Sequence, residues 1–417
     1  MDPARYRALL RDRRARRLLA GLGVSALGDG MSTVTIAWVA VRVAPAGELG
    51  VFVGLAVACY TLPGVIGALV FGRVLRARPA RALVLTHCLL RTGFLGAVAA
   101  LWGVGAPAPA AYVGLLAGSS VLSAWGNAGQ YTMLSELGGP DGRLAINSLA
   151  TAQVSFAVIV GPSVAGVLIG WIGPGWLIAL DAASFAFLGI QGWRTPTSGA
   201  TTEQPVDAAA AESGLRLLAR RRDLLGLTAL TWVFFFLYGP VETALPVYVV
   251  RDLRADGALL GAYWTAFGIG ALAATLITGT LRSRNVRRAT LLIVAGWGVC
   301  LLPFAFAPVG VTLGCFALGG MIYGPFIPIT YAHFQSATPP ASLPSVLAAR
   351  SAIVLVSTPL GTVIGGPLVG GLGATGTLVA SGAFTVLLAV AGRFLWVGND
   401  GEGPSVRADA VESSRRG

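Results

Sequence analysis

Three charged side chains stand inside long apolar stretches, where a charge costs several kcal/mol unless it is paired or hydrated, so each is a candidate for chemistry. Asp29 follows Arg17 by twelve residues, about 18 Å of helix rise. Arg91 follows Arg81 by ten, about 15 Å. The two depths match. Asp29 could therefore alternate between holding a proton and pairing with Arg91 or with a cationic group on a cargo. A permanent structural salt bridge is the equal alternative. Glu242 lies in Gly239-Pro240-Val-Glu242-Thr-Ala-Leu-Pro246, where two prolines free backbone carbonyls. It reads as a second proton or cation site, or as a water-facing residue near a helix end. Asp181 reads as a structural hydrogen-bonding group, and His87, His333 and Arg350 as orientation or gate residues close to the cytoplasmic face.

No enzyme constellation accompanies them. Gly371-Leu-Gly373-Ala-Thr-Gly376 matches a dinucleotide fingerprint by letter, but no strand precedes it. Walker loops, zinc-ligand clusters and nucleophile elbows are missing from the sequence, and no cofactor is expected. Cys59, Cys88, Cys300 and Cys315 sit inside apolar runs without Cys-x-x-Cys spacing and read as packing residues.

The elements that hold these residues follow from composition. Charged residues make up 12% of the chain and apolar ones 55%, with a mean hydropathy of +0.74, so the chain cannot dissolve as an ordinary globule. A bilayer-spanning helix needs about 20 apolar residues, and the chain length accommodates about twelve. The spacing predicts spans over 18–43, 49–72, 82–104, 109–134, 145–171, 174–193, 224–250, 258–281, 289–307, 309–334, 345–371 and 373–396. The net charge of +12 comes from arginines beside these runs, where anionic lipid attracts them, so nucleic acid is not expected as a partner. Arginines cluster in the N-terminal tail and after the second, sixth and eighth spans. The other side offers little more than Arg42, Arg251 and Arg254, which predicts an inner-membrane protein with both termini cytoplasmic.

The chain divides into a six-helix bundle with its tail (1–194), a cytoplasmic linker (195–223), a second six-helix bundle (224–397) and a disordered tail (398–417). Within the linker, 214–223 reads either as an interfacial amphipathic helix or as the start of the seventh span. A repeat crosses it. Arg76-x-Arg78-x-x-Arg81 matches Arg282-x-Arg284-x-x-Arg287, and Gly166-Val-Leu-Ile-Gly170-Trp-Ile-Gly173 matches Gly366-Pro-Leu-Val-Gly370-Gly-Leu-Gly373. Duplicated halves imply a pseudo-symmetric bundle with a site between them.

The stretch Gly161-Pro162-Ser163-Val164-Ala165-Gly166 continuing to Asp181-Ala182-Ala183-Ser184-Phe185 resembles the fifth and sixth spans of the major facilitator superfamily, in its drug:proton antiporter group of macrolide-efflux and siderophore-export proteins. Ser25 to Asp29, Asn127 to Glu136 with Arg143 to Asn147, and Pro359 to Gly366 resemble the first, fourth and eleventh spans of that group. The family signature after the second span departs here: four places after Gly67, Phe71 replaces the acidic latch residue. The resemblance then implies another cytoplasmic contact, Arg73 or Arg76 with Glu136 or Asp141, or a weak latch. The family arrangement also implies a cavity wall of Asn127, Gln130, Tyr131, Trp232, Phe235, Tyr238, Tyr323 and Phe326, suited to a bulky, partly apolar solute. Gly324-Pro325-Phe-Ile-Pro328 marks a bend in the tenth span. These features predict an all-α secondary transporter, acting as a monomer, that exports an amphipathic small molecule against protons. A nutrient facilitator or importer, or a non-transporting scaffold or sensor on the same fold, are the alternatives.

Overall fold

Backbone amides in lipid can satisfy only one another, and in the computed structural model the apolar runs form helices throughout. The structure describes residues 9, 11–75, 78–105, 107–196, 208–278, 286–339 and 342–394. The expected linker core, the C-terminal tail, Arg76, Arg282 and Arg284 lie outside the described residues. The first three spans are Arg13–Val43, Leu49–Val70 and Ala80–Gly103. The fourth is two pieces, Pro109–Ser120 and the opening of the long run Ser123–Ile172, which turns at Gly139 (φ 60°, ψ −174°) into the fifth. The sixth is Pro174–Trp193.

The second half repeats the plan. Its seventh span, Arg222–Val247, continues as a π-helical turn Tyr248–Asp252. The eighth is Gly257–Thr278, and the ninth is Val286–Leu301 with a 3-10 turn Leu302–Ala305. The tenth is broken between Val309–Tyr323 and Phe326–Ala337, at the expected Gly-Pro bend. The eleventh, Leu343–Leu355 plus the start of Ser357–Gly392, passes at Gly373 into the twelfth. Among the described residues nine helices are individually long and apolar enough to cross a bilayer, ten counting the bent pair 145–158 and 160–172. The count becomes twelve when the 48-residue run is divided at Gly373 and the two pieces of the fourth span are joined.

Two of the repeat glycines do the same work in each half. Gly173 (φ 80°, ψ 161°) and Gly373 (φ 73°, ψ 173°) reverse the chain in a region of backbone space that is essentially closed to residues with a Cβ. Others set helix spacing. The first and fifth spans approach at Gly30 and Gly161, and the seventh and eleventh at Gly239 and Gly361, where an added Cβ would stand 2.0–2.6 Å from backbone atoms of the facing helix.

The halves meet through the fifth and eighth spans and through the second and eleventh. A Cβ on Gly166 would lie 1.9 Å from Gly261 Cα, one on Gly54 2.6 Å from the Thr362 carbonyl, and one on Gly50 2.7 Å from the Gly366 carbonyl. Ser163 Oγ donates to the Trp264 carbonyl at 3.0 Å, and Thr265 Oγ1 to the Ser163 carbonyl at 3.1 Å. These approaches lie toward the end of the bundle opposite Arg13 and Gly392, where the first span begins and the last one ends.

The helix Ala208–Arg220 precedes the seventh span as a separate element. It is not the start of that span; one face packs on the bundle, while Leu215 and Leu217 stay exposed. Leu218 is buried with Leu224, Leu227, Phe334, Val346 and Ala349, and a Cβ on Gly214 would meet the Ser345 carbonyl at 2.0 Å. Extended Arg221 (φ −108°, ψ 93°) separates the helices, donating from Nη1 to the Ala337 carbonyl at 3.0 Å and pairing with Asp223 at 2.8 Å.

Candidate functional site

The polar centre of the first half is assembled from four helices. Arg91 Nη2 lies 3.1 Å from Asp29 Oδ1, with 5% and 42% of the two side chains exposed. Tyr60, from the second span, donates its hydroxyl to the same Oδ1. The guanidinium lies over the Tyr60 ring at 4.5 Å and the Phe185 ring at 4.9 Å, so two aromatic faces define its slot. Its Nε and Nη1 are buried with no hydrogen-bond partner.

Asp181 completes the layer from the sixth span and is fully buried. Ser32 Oγ donates to its Oδ2 at 2.5 Å, and Ser184 Oγ stands 3.3 Å from its Oδ1 and 2.7 Å from its backbone carbonyl. Gly28 makes room for this carboxyl: a Cβ there would stand 2.4 Å from Oδ1 and 2.5 Å from Ser184 Oγ. The hydrogen-bonding role expected of Asp181 is present, but so is proximity to the Asp29–Arg91 pair, which its position in the sequence did not suggest. His87 is buried one turn before Arg91, edge-on to Phe185 at 5.4 Å, and a Cβ on Gly126 would overlap its ring at 2.3 Å.

The second half gathers rings instead of charges. Phe235, Tyr238 and Tyr323 stack with centroids 5.9–6.4 Å apart, and Phe326 stands 5.8 Å from Phe235. All four were expected in one wall, but Phe326 has no exposed surface, so it backs the wall instead of facing a cargo. Trp232 does not join them. It stacks on Phe236 at 5.4 Å, on the helix side that carries Gly239 toward the eleventh span. In the fourth span Asn127 and Tyr131 are exposed while Gln130 is buried at 4%. Glu242 neighbours Tyr238 and Tyr323. The π turn carries the helix ten residues past it to Asp252, so it is about 15 Å from that end, deeper than the sequence suggested.

The cytoplasmic gate contacts implied by the resemblance fall largely outside the described residues. The side chains of Arg73 and Asp141 lie outside the described residues, and Glu136 is half-buried. Arg350 is 4% exposed and held over the rings of Tyr331 at 4.6 Å and Phe334 at 5.3 Å, both in its own half. Gly67, retained from the signature, lets the fourth span approach: its Cβ would stand 1.9 Å from the Val121 carbonyl, and its own carbonyl accepts from Trp125 Nε1 at 3.3 Å.

Comparisons with known proteins converge on one family. The model described as Major Facilitator Superfamily matches residues 18–284 and 227–415. The chain is 27% identical over 341 residues to an uncharacterized MFS-type transporter, y4rN, of Sinorhizobium fredii, covering 79% of this chain and 82% of the other. It is 27% identical over 374 residues to the multidrug efflux pump Tap of Mycobacterium tuberculosis, covering 86% and 87%. Among solved structures it superposes on the nucleoside transporter NupG with a TM-score of 0.66 at 14% identity, over 91% of this chain and 98% of that one. It also superposes on an inward-facing bacterial homologue of the iron transporter ferroportin, with a TM-score of 0.63 at 18% identity, over 91% and 98%.

Proposed function

The chain belongs to the major facilitator superfamily, a multi-pass membrane transporter family, and from that premise we propose that it exports amphipathic small molecules in exchange for protons. The observation that carries the reading is the Asp29–Arg91 pair, with Asp29 partly exposed and Arg91 sealed. A mid-span carboxylate with exposed surface needs water or a partner, so it is suited to take up a proton and release its arginine. The stacked rings of Phe235, Tyr238 and Tyr323 supply sequence-tolerant contact area for a partly apolar cargo, and the efflux pump among the relatives favours the outward direction.

In this reading the halves 1–194 and 224–397 rock about the glycine contacts, with the termini and the linker on the cytoplasmic side of the inner membrane, and one chain suffices. The tight glycine contacts then lie at the outer face, so the structure is closed to the outside. Everted vesicles test the reading. With the lumen acidified, vesicles carrying the protein accumulate an amphipathic fluorescent dye, and Asp29→Asn abolishes that accumulation at normal protein level. Dye accumulation that is indifferent to the proton gradient, or undiminished by Asp29→Asn, refutes proton coupling through this residue. Net movement in the opposite direction under the same gradient identifies an importer.

A further inference from the structure

Asp181 is fully buried beside an ion pair that already satisfies its own charge, and its partners are hydroxyls alone. Ser184 Oγ is within reach of two acceptors on Asp181, the backbone carbonyl at 2.7 Å and Oδ1 at 3.3 Å. A hydroxyl carries one hydrogen. That hydrogen goes to the nearer carbonyl or is shared with Oδ1, so Oδ1 gains little that would stabilise a fully buried anion. The arginine agrees: Arg91 directs Nη2 to Asp29 and leaves Nε and Nη1 without acceptors, although an ionised carboxyl one helix away would draw them. Charge balance points the same way, because Arg91 already answers the partly exposed Asp29 and an ionised Asp181 would stand as an uncompensated charge in full burial.

We propose that Asp29 and Asp181 share one proton and one arginine, with the proton on Asp181 in this structure and on Asp29 when Arg91 turns toward Asp181. In the exchange an O–H bond breaks on Asp181 and one forms on Asp29, while the guanidinium moves between them in the slot of the Tyr60 and Phe185 rings, so the net charge of the cluster stays constant. Ser32, three residues after Asp29 on the same helix, donates to Asp181 Oδ2 and ties the first span to this carboxyl. The other titratable groups facing this stretch of the sixth span are Tyr60 from the second span and His87 and Cys88 from the third. Cys88 approaches the sixth span at Gly189, and His87 is edge-on to Phe185. Asp181 is thus a positioning residue for the arginine and a resting place for the proton. The proposal deepens the proton-coupled reading of this site.

The test is the infrared carbonyl stretch of protonated carboxyl groups in the purified full chain in lipid at neutral pH, in a Glu242→Gln background that removes the other mid-span carboxyl. The parent shows one band from a buried acid, and Asp181→Asn removes it. Asp29→Asn also removes it, because Asp181 then ionises to pair with Arg91. A band that survives Asp29→Asn marks a fixed structural acid and overturns the exchange, and so does the absence of any band in the parent. Should Asp181→Asn fail to fold, Ser32→Ala shifts the band by removing a hydrogen bond to Asp181, and an unmoved band overturns the assignment. No cargo or gradient enters this measurement. Failure here leaves proton-driven export through Asp29 open, and failure of export in vesicles leaves this result standing.

Discussion

Replacing Gly166 by alanine puts a methyl group into the tightest contact between the halves. That Cβ would stand 1.9 Å from Gly261 Cα, and both atoms belong to helix backbones that cannot rotate away. Ordinary contact begins near 3.4 Å, so the fifth and eighth spans must part by about 1.5 Å, an overpacking that costs about 1–3 kcal/mol. Each 1.4 kcal/mol is a factor of ten, so the arrangement closed at this end loses roughly 5- to 150-fold in population. Spin labels on cysteines replacing the exposed Trp171 and Phe306, in a background without native cysteines, report the separation of the halves at that end. Gly166→Ala shifts the distance distribution to longer values. Gly170→Ala, whose Cβ meets Ala258 Cβ at 3.3 Å, shifts it little, and Gly370→Ala, with nothing within 4 Å, leaves it unchanged. A Gly166→Ala distribution that coincides with that of Gly370→Ala refutes the view that backbone contact at this glycine holds the halves together.

Three further outcomes follow from the same geometry. Gly173→Ala and Gly373→Ala each lower stability by about 1–3 kcal/mol, seen as a fall in Tm in detergent, while Gly103→Ala, in open helical surroundings, does not. Gly28→Ala, whose Cβ would stand 2.4 Å from Asp181 Oδ1, sharply reduces dye export at normal expression, whereas Gly93→Ala on the third span leaves export intact. Leu218→Ala removes a buried anchor of the helix before the seventh span, at about 2–5 kcal/mol of local packing, and trypsin then cuts at Arg216 or Arg220 at least tenfold faster.

Depth along a helix was legible in the sequence; direction around it was not. Counting residues from the flanking arginines put Asp29 and Arg91 at one level, and they stand 3.1 Å apart. The glycine repeat likewise marked 173 and 373, which share one backbone conformation. The residues around the pair gave no such signal. Tyr60 carries no charge, and Gly28 matters only because Asp181 arrives from a helix about 150 residues further along the chain. Trp232 was grouped with Phe235 and Tyr238 because all lie on one span, yet its azimuth turns it toward Phe236. Arg350 was read as an orientation or gate residue from its place near a membrane face, and nothing in the sequence pointed to its ring partners. Those partners are Tyr331 and Phe334, in its own half.

The repeat also shows how a symmetric scaffold carries asymmetric chemistry. Gly30 packs on Gly161 as Gly239 packs on Gly361, so the residue preceding each glycine occupies the same place in its half: Asp29 in one, Tyr238 in the other. One position ends in a carboxylate paired with an arginine, and its counterpart in a ring stacked on Tyr323. Because the helix crossings depend on glycines and not on these side chains, the two positions could diverge without disturbing the packing that relates the halves. Proton exchange on one side and cargo contact on the other would then be coupled through motion of the halves, with no direct bond between proton and cargo required. A cargo that makes no contact with Asp29 could still be driven by it.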